Sequence, residues 1–131
     1  MKDSKLTKIV LFISGLLLLV IGSAILFAPI SFSARNGIEL GENINLLNET
    51  RAAGAMLLAS GLMILLGSFV QKLTFTSLVI SILAYLSYGF GRLLSLIIDG
   101  MPIDGLLKAT IIEIILGLIS VFALYKYTKN K

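Results

Sequence analysis

The chain is 131 residues long, with 57% hydrophobic side chains, 14% charged ones, a formal charge of +4 and a mean hydropathy of +1.01. Ordinary soluble domains carry about a quarter charged residues, so this composition reads as that of a membrane protein. Neither cysteine nor histidine is present, which removes disulfides, thiolate redox relays and metals or haem held by thiolate or imidazole; no metal and no cofactor is expected.

Windows of about twenty apolar residues, enough to cross roughly 30 Å of hydrocarbon, occur four times. The first runs from Ile9 to Ala28. It follows Lys2, Lys5 and Lys8 as a secretory signal would, but its apolar core is longer than a signal's. Phe32-Ser33-Ala34 is also a poor cleavage site, so the segment reads as a helix. Residues 29–50 form an outer loop in which Asn36-Gly37, between ISFSA and IEL, suits a tight type I′ turn; a small surface hairpin and an unstructured loop are both open. Asn48-Glu49-Thr50 matches a glycosylation sequon, which matters only in a eukaryotic secretory pathway. The second span runs from Ala52 to Val70, the third from Phe75 to Ile98 after a turn holding Lys72, and the fourth from Leu106 to Tyr125 after the loop Asp99 to Gly105. No linker divides these segments. The expected fold is one all-α domain over 1–131, an antiparallel bundle of four transmembrane helices.

Lysine sets the orientation. Lys2, Lys5, Lys8, Lys72, Lys126, Lys129 and Lys131 fall on one side, which is then the cytoplasm, with both termini inside the cell membrane. The opposite side holds Glu39, Glu42, Glu49, Asp99 and Asp104 against the loop residue Arg35. Because the tails account for six of the eleven basic residues, the positive charge is a topology signal and nucleic acid is not an expected partner.

In the third span Thr74, Ser77, Ser81, Tyr85, Tyr88, Arg92, Ser95 and Asp99 follow one another at intervals of three or four, a single polar stripe. The fourth span repeats the pattern with Thr110, Glu113, Gly117, Ser120 and Ala123, and the second offers Arg51, Gly54, Gly61 and Ser68. In the first, Gly15 and Gly22 stand seven apart. Lipid has no use for small or polar residues, so Gly15, Gly22, Gly54, Gly61, Gly89 and Gly117 read as helix-packing positions.

Arg92 and Glu113 each lie seven residues from the outer end of their spans, roughly 10 Å deep at 1.5 Å per residue. Each alone costs about 2.5–3.5 kcal/mol near the bilayer centre, so the two are expected to pair, helped by Tyr88 or water. With Glu49, Arg51, Tyr85, Tyr88 and Asp99 they make a polar cluster opening outward between spans two, three and four. Two roles are open: contacts for a headgroup, ion or proton, or a clasp that fixes helix register.

The runs NGIELGENINLLNETRAAGAMLLASG (36–61), YGFGRLLSLIIDGMP (88–102) and EIILG (113–117) resemble a family of small bacterial membrane proteins catalogued as a domain of unknown function. The resemblance rests on Asn36-Gly37, Glu49, Arg51, Gly54, Gly89, Arg92, Asp99-Gly100, Pro102 and Glu113. It implies four helices in a bacterial inner membrane and no established reaction. A looser likeness to DoxX-like four-helix membrane proteins rests on architecture alone.

The leading expectation is binding or transport of a small amphiphile or lipid, with Arg51 and Arg92 meeting an anionic or carbonyl group, Tyr85 and Tyr88 lining the pocket and Glu113 balancing charge. The alternative is an accessory subunit that holds another membrane protein through its packing seams. A proton-coupled exporter like the small multidrug-resistance proteins comes third, because their essential acid sits in the first helix and none lies between Ile9 and Ala28 here. A channel lacks charge on the inner half of the spans, and an enzyme lacks a nucleophile beside a base.

Overall fold

A computed structural model describes residues 5–130; Lys2 and Lys131 lie outside it. It is all-α, with five helices: α1 (Lys5–Phe27), α2 (Pro29–Arg35), α3 (Ile44–Phe69), α4 (Thr74–Ile98) and α5 (Asp104–Lys129), and a 3₁₀ turn, Gln71–Leu73, joining α3 to α4. The four long helices have 23, 26, 25 and 26 residues and are apolar enough to cross a membrane. At 1.5 Å per residue they measure about 34–39 Å, beyond the hydrocarbon thickness of roughly 30 Å.

The distribution of side chains is that of a body surrounded by lipid. Thr7, Ser14, Ser77, Ser81 and Ser120 are buried, together with Leu11, Ile64, Leu78 and Tyr85. Large aliphatic residues point outward, among them Val20, Leu94, Ile97, Ile111 and Leu118. In water such a surface would be one continuous apolar patch. In lipid, helices associate through close packing and interhelical hydrogen bonds, which small and hydroxylic residues supply.

The most extensive helix contact is α1 against α3, then α4 against α5. Four glycines make the first possible. A Cβ built on Gly15 would lie 2.5 Å from the backbone nitrogen of Leu65 and 2.9 Å from the carbonyl oxygen of Gly61. One on Gly22 would lie 2.8 Å from Leu58 Cα and 2.9 Å from the Gly54 carbonyl. The backbones therefore touch directly, with no side chain between them. Gly89 and Gly117 serve the α4–α5 contact differently, facing the side chains of Ile114 and Leu86.

The segment 29–50 departs from the expected outer loop. It contains no strand, so the hairpin does not form. Pro29 cannot continue α1 but suits the first position of a new helix, and it starts α2. Asn36-Gly37 ends α2 instead of turning a hairpin. Gly37 takes φ 71°, its N–H donates to the Ala34 carbonyl, and Ile38 N–H donates to the Ser33 carbonyl, the paired bonds of a Schellman closure. A left-handed glycine serves either motif, which is why the dipeptide alone misdirects. Likewise α3 begins at Ile44, not Ala52, because Asn43 caps it by accepting from Leu46 N–H at 3.1 Å. Its first two turns are too polar for a hydropathy window and are helical all the same. The other ends also extend, α1 back to Lys5 and α5 on to Lys129.

Candidate functional site

The polar stripe of α4 divides its rungs among three neighbouring helices. Thr74 Oγ1 donates to the Gly67 carbonyl at 3.1 Å and Ser77 Oγ to the Met63 carbonyl at 2.7 Å, both on α3. Ser81 shares a 2.8 Å hydrogen bond with Ser120 on α5. One turn on, the Tyr85 hydroxyl donates to the Ser14 carbonyl of α1 at 2.5 Å. The stripe is thus a set of interhelical ties, and buried backbone carbonyls that already serve their own helices accept several of them.

Beyond Tyr85 the stripe changes character. Arg92 Nε donates to Glu113 Oε1 of α5 at 2.6 Å, the one ion pair among the described residues. Its guanidinium carbon lies 5.8 Å from the centre of the Tyr88 ring. The pair is joined through a single atom on each side. A guanidinium has five N–H donors, four of them on its terminal nitrogens. Among the described residues, no protein group accepts from those four, and Glu113 Oε2 receives no hydrogen bond. The Arg92 side chain remains 35% exposed and that of Glu113 15%.

These half-used groups line a cavity of about 190 Å³. Leu17, Leu18, Ile21 and Ile25 of α1 form one wall; Ala84, Tyr85 and Tyr88 of α4, Leu106, Ala109 and Ile112 of α5 and Leu57 of α3 complete the lining, with Asn36 and Phe32 at the α2 end. A largely apolar hollow, partly aromatic and polar at one end, is the ordinary form of a small-molecule site. A family model described as domain of unknown function DUF4345 matches residues 6–124, a span that contains every residue of this cavity. The chain belongs to that family. No curated protein and no solved structure matches it.

Within the DUF4345 segment, the residues expected to form one cluster are dispersed. Tyr85, Tyr88, Arg92 and Glu113 line the cavity. Glu49 lines a separate, shallower depression under α2, which Arg92 also borders. Arg51 Nη1 donates to the Leu26 carbonyl at 2.5 Å, closing the last turn of α1. Asp99 accepts from Ser95 Oγ at 2.8 Å at the end of α4. The cavity walls come from α1, α4 and α5, with only Leu57 from α3. Against the expected setting between spans two, three and four, this cavity draws mostly on α1, α4 and α5, while the depression that holds Glu49 takes Leu46, Glu49, Thr50 and Ala53 from α3 beside Arg92 and Leu106.

Three contributors have weak signals in the sequence. Asn36 donates from Nδ2 to the Phe32 carbonyl at 3.2 Å, while its own side chain borders both hollows; as part of a turn dipeptide it looks merely conformational. Leu17, Leu18, Ile21 and Ile25 repeat at helical spacing, which lipid-facing residues also do. Ser14 is fully buried and its Oγ has no hydrogen-bond partner, although its carbonyl accepts from Tyr85. Removing a buried hydroxyl that makes no bond forfeits nothing, so Ser14→Ala should be neutral or stabilising by up to about 1 kcal/mol. Thermal unfolding in detergent checks this, and a clear loss of stability would mean the hydroxyl has a partner.

Proposed function

We propose that this protein is an integral component of a bacterial cell membrane which binds or moves a small amphiphile or lipid in the cavity among α1, α4 and α5. The reading takes the four long helices as an antiparallel bundle with both termini in the cytoplasm. Two lines support that arrangement. Contacts along the α1–α3 seam run in opposite senses, Gly15 meeting Leu65 while Gly22 meets Leu58. Lys5, Lys8, Lys72, Lys126 and Lys129 lie at the ends assigned to the cytoplasm, and Glu39, Glu42, Glu49, Asp99 and Asp104 at the other.

The observation that carries the functional reading is the unspent hydrogen-bonding capacity of Arg92 in a largely apolar hollow. Intramembrane charges are costly, and a pair serving structure alone gains by using all its donors. The outer depression bordered by Glu49, Phe32, Asn36 and Arg92 gives this site an approach from the α2 side.

A second reading, a helix clasp in an accessory subunit, draws on the other rungs of the α4 stripe, which are interhelical ties. A proton-coupled exporter has less support, since α1 carries no acid and the hydroxyls of Thr74 and Ser77 are spent on backbone carbonyls. Native mass spectrometry of the protein in lipid nanodiscs separates the first two. A defined adduct in the wild type, lost in a folded Arg92→Leu variant, is the expected result. Absence of any adduct, with the variant shedding a copurifying protein, would replace the pocket by the clasp.

A further inference from the structure

Building on the pocket reading, we infer that the site selects an uncharged amphiphile whose head is a hydrogen-bond-accepting carbonyl, and that it discriminates against ionic heads of either sign. The basis is charge arithmetic at the polar end of the cavity. Arg92 is the only cation in the lining, and Glu113, 2.6 Å away, already neutralises it. A third full charge would be attracted by one partner and repelled by the other at similar range, so the pair offers it little net attraction to offset the loss of its hydration. The other nearby formal charge in the adjoining depression is Glu49, which opposes an anion further. In a low-dielectric site such repulsions are hard to screen. A carbonyl oxygen meets no such penalty. It needs only donors, and the terminal nitrogens of Arg92 and the Tyr88 hydroxyl bring no protein acceptor of their own among the described residues.

The size of the hollow limits the occupant as well. An engineered cavity of about 150 Å³ accepts benzene, so about 190 Å³ takes a ring or a short length of chain, but not a whole lipid. The remainder must leave the cavity. The nearest outlet is the outer face of α4, where the Tyr88 and Arg92 side chains that line the cavity also border an open groove with Ser87, Gly91 and Ser95. These three are exposed and small, and nothing lies within 4 Å of a Cβ placed on Gly91. Arg92 therefore stands where the inner cavity, the membrane-facing groove and the outer depression meet. A carbonyl at Arg92 with its chain lying along α4 satisfies all three features.

The test uses three probes of equal chain length, a methyl ketone, an alkyl sulfonate that stays ionised, and an alkyl trimethylammonium. Each is titrated into the full-length protein in nanodiscs of ether-linked lipid, which has no carbonyl of its own. Occupancy by native mass spectrometry is expected to favour the ketone over both ions by about tenfold or more, equivalent to about 1.4 kcal/mol. Glu113→Gln leaves Arg92 unneutralised and should move the preference to the sulfonate. Either ion matching the ketone in the wild type overturns the charge selection and leaves the pocket standing. If none of the three binds the folded wild type, the pocket reading itself fails. An unchanged order of preference in folded Glu113→Gln would refute the neutralisation argument; if that variant does not fold, the wild-type order decides alone. Repeating the ketone titration in ester-linked lipid identifies the carbonyl's source. Reduced occupancy there assigns it to a bilayer lipid ester, and unchanged occupancy to a free amphiphile, both consistent with the proposal.

Discussion

Gly61→Ala is expected to destabilise the protein by about 3 kcal/mol, the upper part of the range for overpacking a close-packed interior. The new methyl group would sit 2.5 Å from the Leu19 backbone nitrogen and 2.9 Å from both the Gly15 carbonyl oxygen and the Leu18 carbonyl carbon. All three are main-chain atoms of α1. No rotamer change relieves them, so α1 and α3 must separate along the seam and give up packing over several turns. The effect has to be read against an opposing one, since alanine is favoured over glycine inside a helix by roughly 0.5–1 kcal/mol. Gly91→Ala isolates that second term, because the space around Gly91 is open. Gly117→Ala should fall between, as its nearest neighbours are atoms of the Leu86 side chain, which can rotate. Unfolding of the three variants in one detergent gives the order Gly91→Ala above wild type, then Gly117→Ala, then Gly61→Ala. If Gly61→Ala and Gly91→Ala unfold together, the seam is not a direct backbone contact.

That seam also indicates how much a sequence of this kind discloses. Gly15, Gly22, Gly54 and Gly61 announce themselves as packing positions by type and by their spacing of seven, but nothing in the spacing says that the first pair faces the second. Pairing is a property of the assembled helices. Element ends are legible where capping chemistry is read alongside hydropathy. Asn43 is a good cap and Pro29 a good first residue, yet an apolar window passes over both because the turns that follow them are polar. Asn36-Gly37 is ambiguous in principle, since a hairpin and a Schellman closure ask the same left-handed conformation of the glycine.

The candidate site divides along similar lines. Charges stand out in an apolar chain, and helical rise alone places Arg92 and Glu113 at one depth. The apolar walls do not stand out, because a leucine lining a cavity and a leucine facing lipid have the same chemistry and the same periodicity. Span one is therefore invisible as a contributor, although it supplies four lining residues, as many as α4 or α5. Arg51 errs the other way. Its charge suggests membership in the cluster, while its reach lets it close the end of α1 at the Leu26 carbonyl, a target no sequence pattern marks.

The other large effect lies at the ion pair, where stability and binding are expected to separate. Arg92→Leu leaves Glu113, the less exposed partner, without its counter-charge and should cost about 3–5 kcal/mol. Glu113→Leu leaves Arg92 instead, whose side chain is 35% exposed and long enough to lift its head toward the interface, so its cost is smaller. The double variant Arg92→Leu with Glu113→Leu removes both charges and should recover most of the loss, since apolar residues in place of an ion pair are often neutral or better. The resulting coupling, about 3 kcal/mol or more because both single losses largely vanish in the double variant, is measured by a double-mutant cycle on unfolding in detergent. A clasp predicts that this double variant, being stable, keeps whatever the wild type binds. A headgroup site predicts a stable protein with an empty cavity, because leucines offer no donor to a carbonyl or any other polar head. Stability restored together with occupancy would therefore remove Arg92 from recognition; stability restored with occupancy lost is the outcome that a half-used guanidinium in a largely apolar hollow leads us to expect.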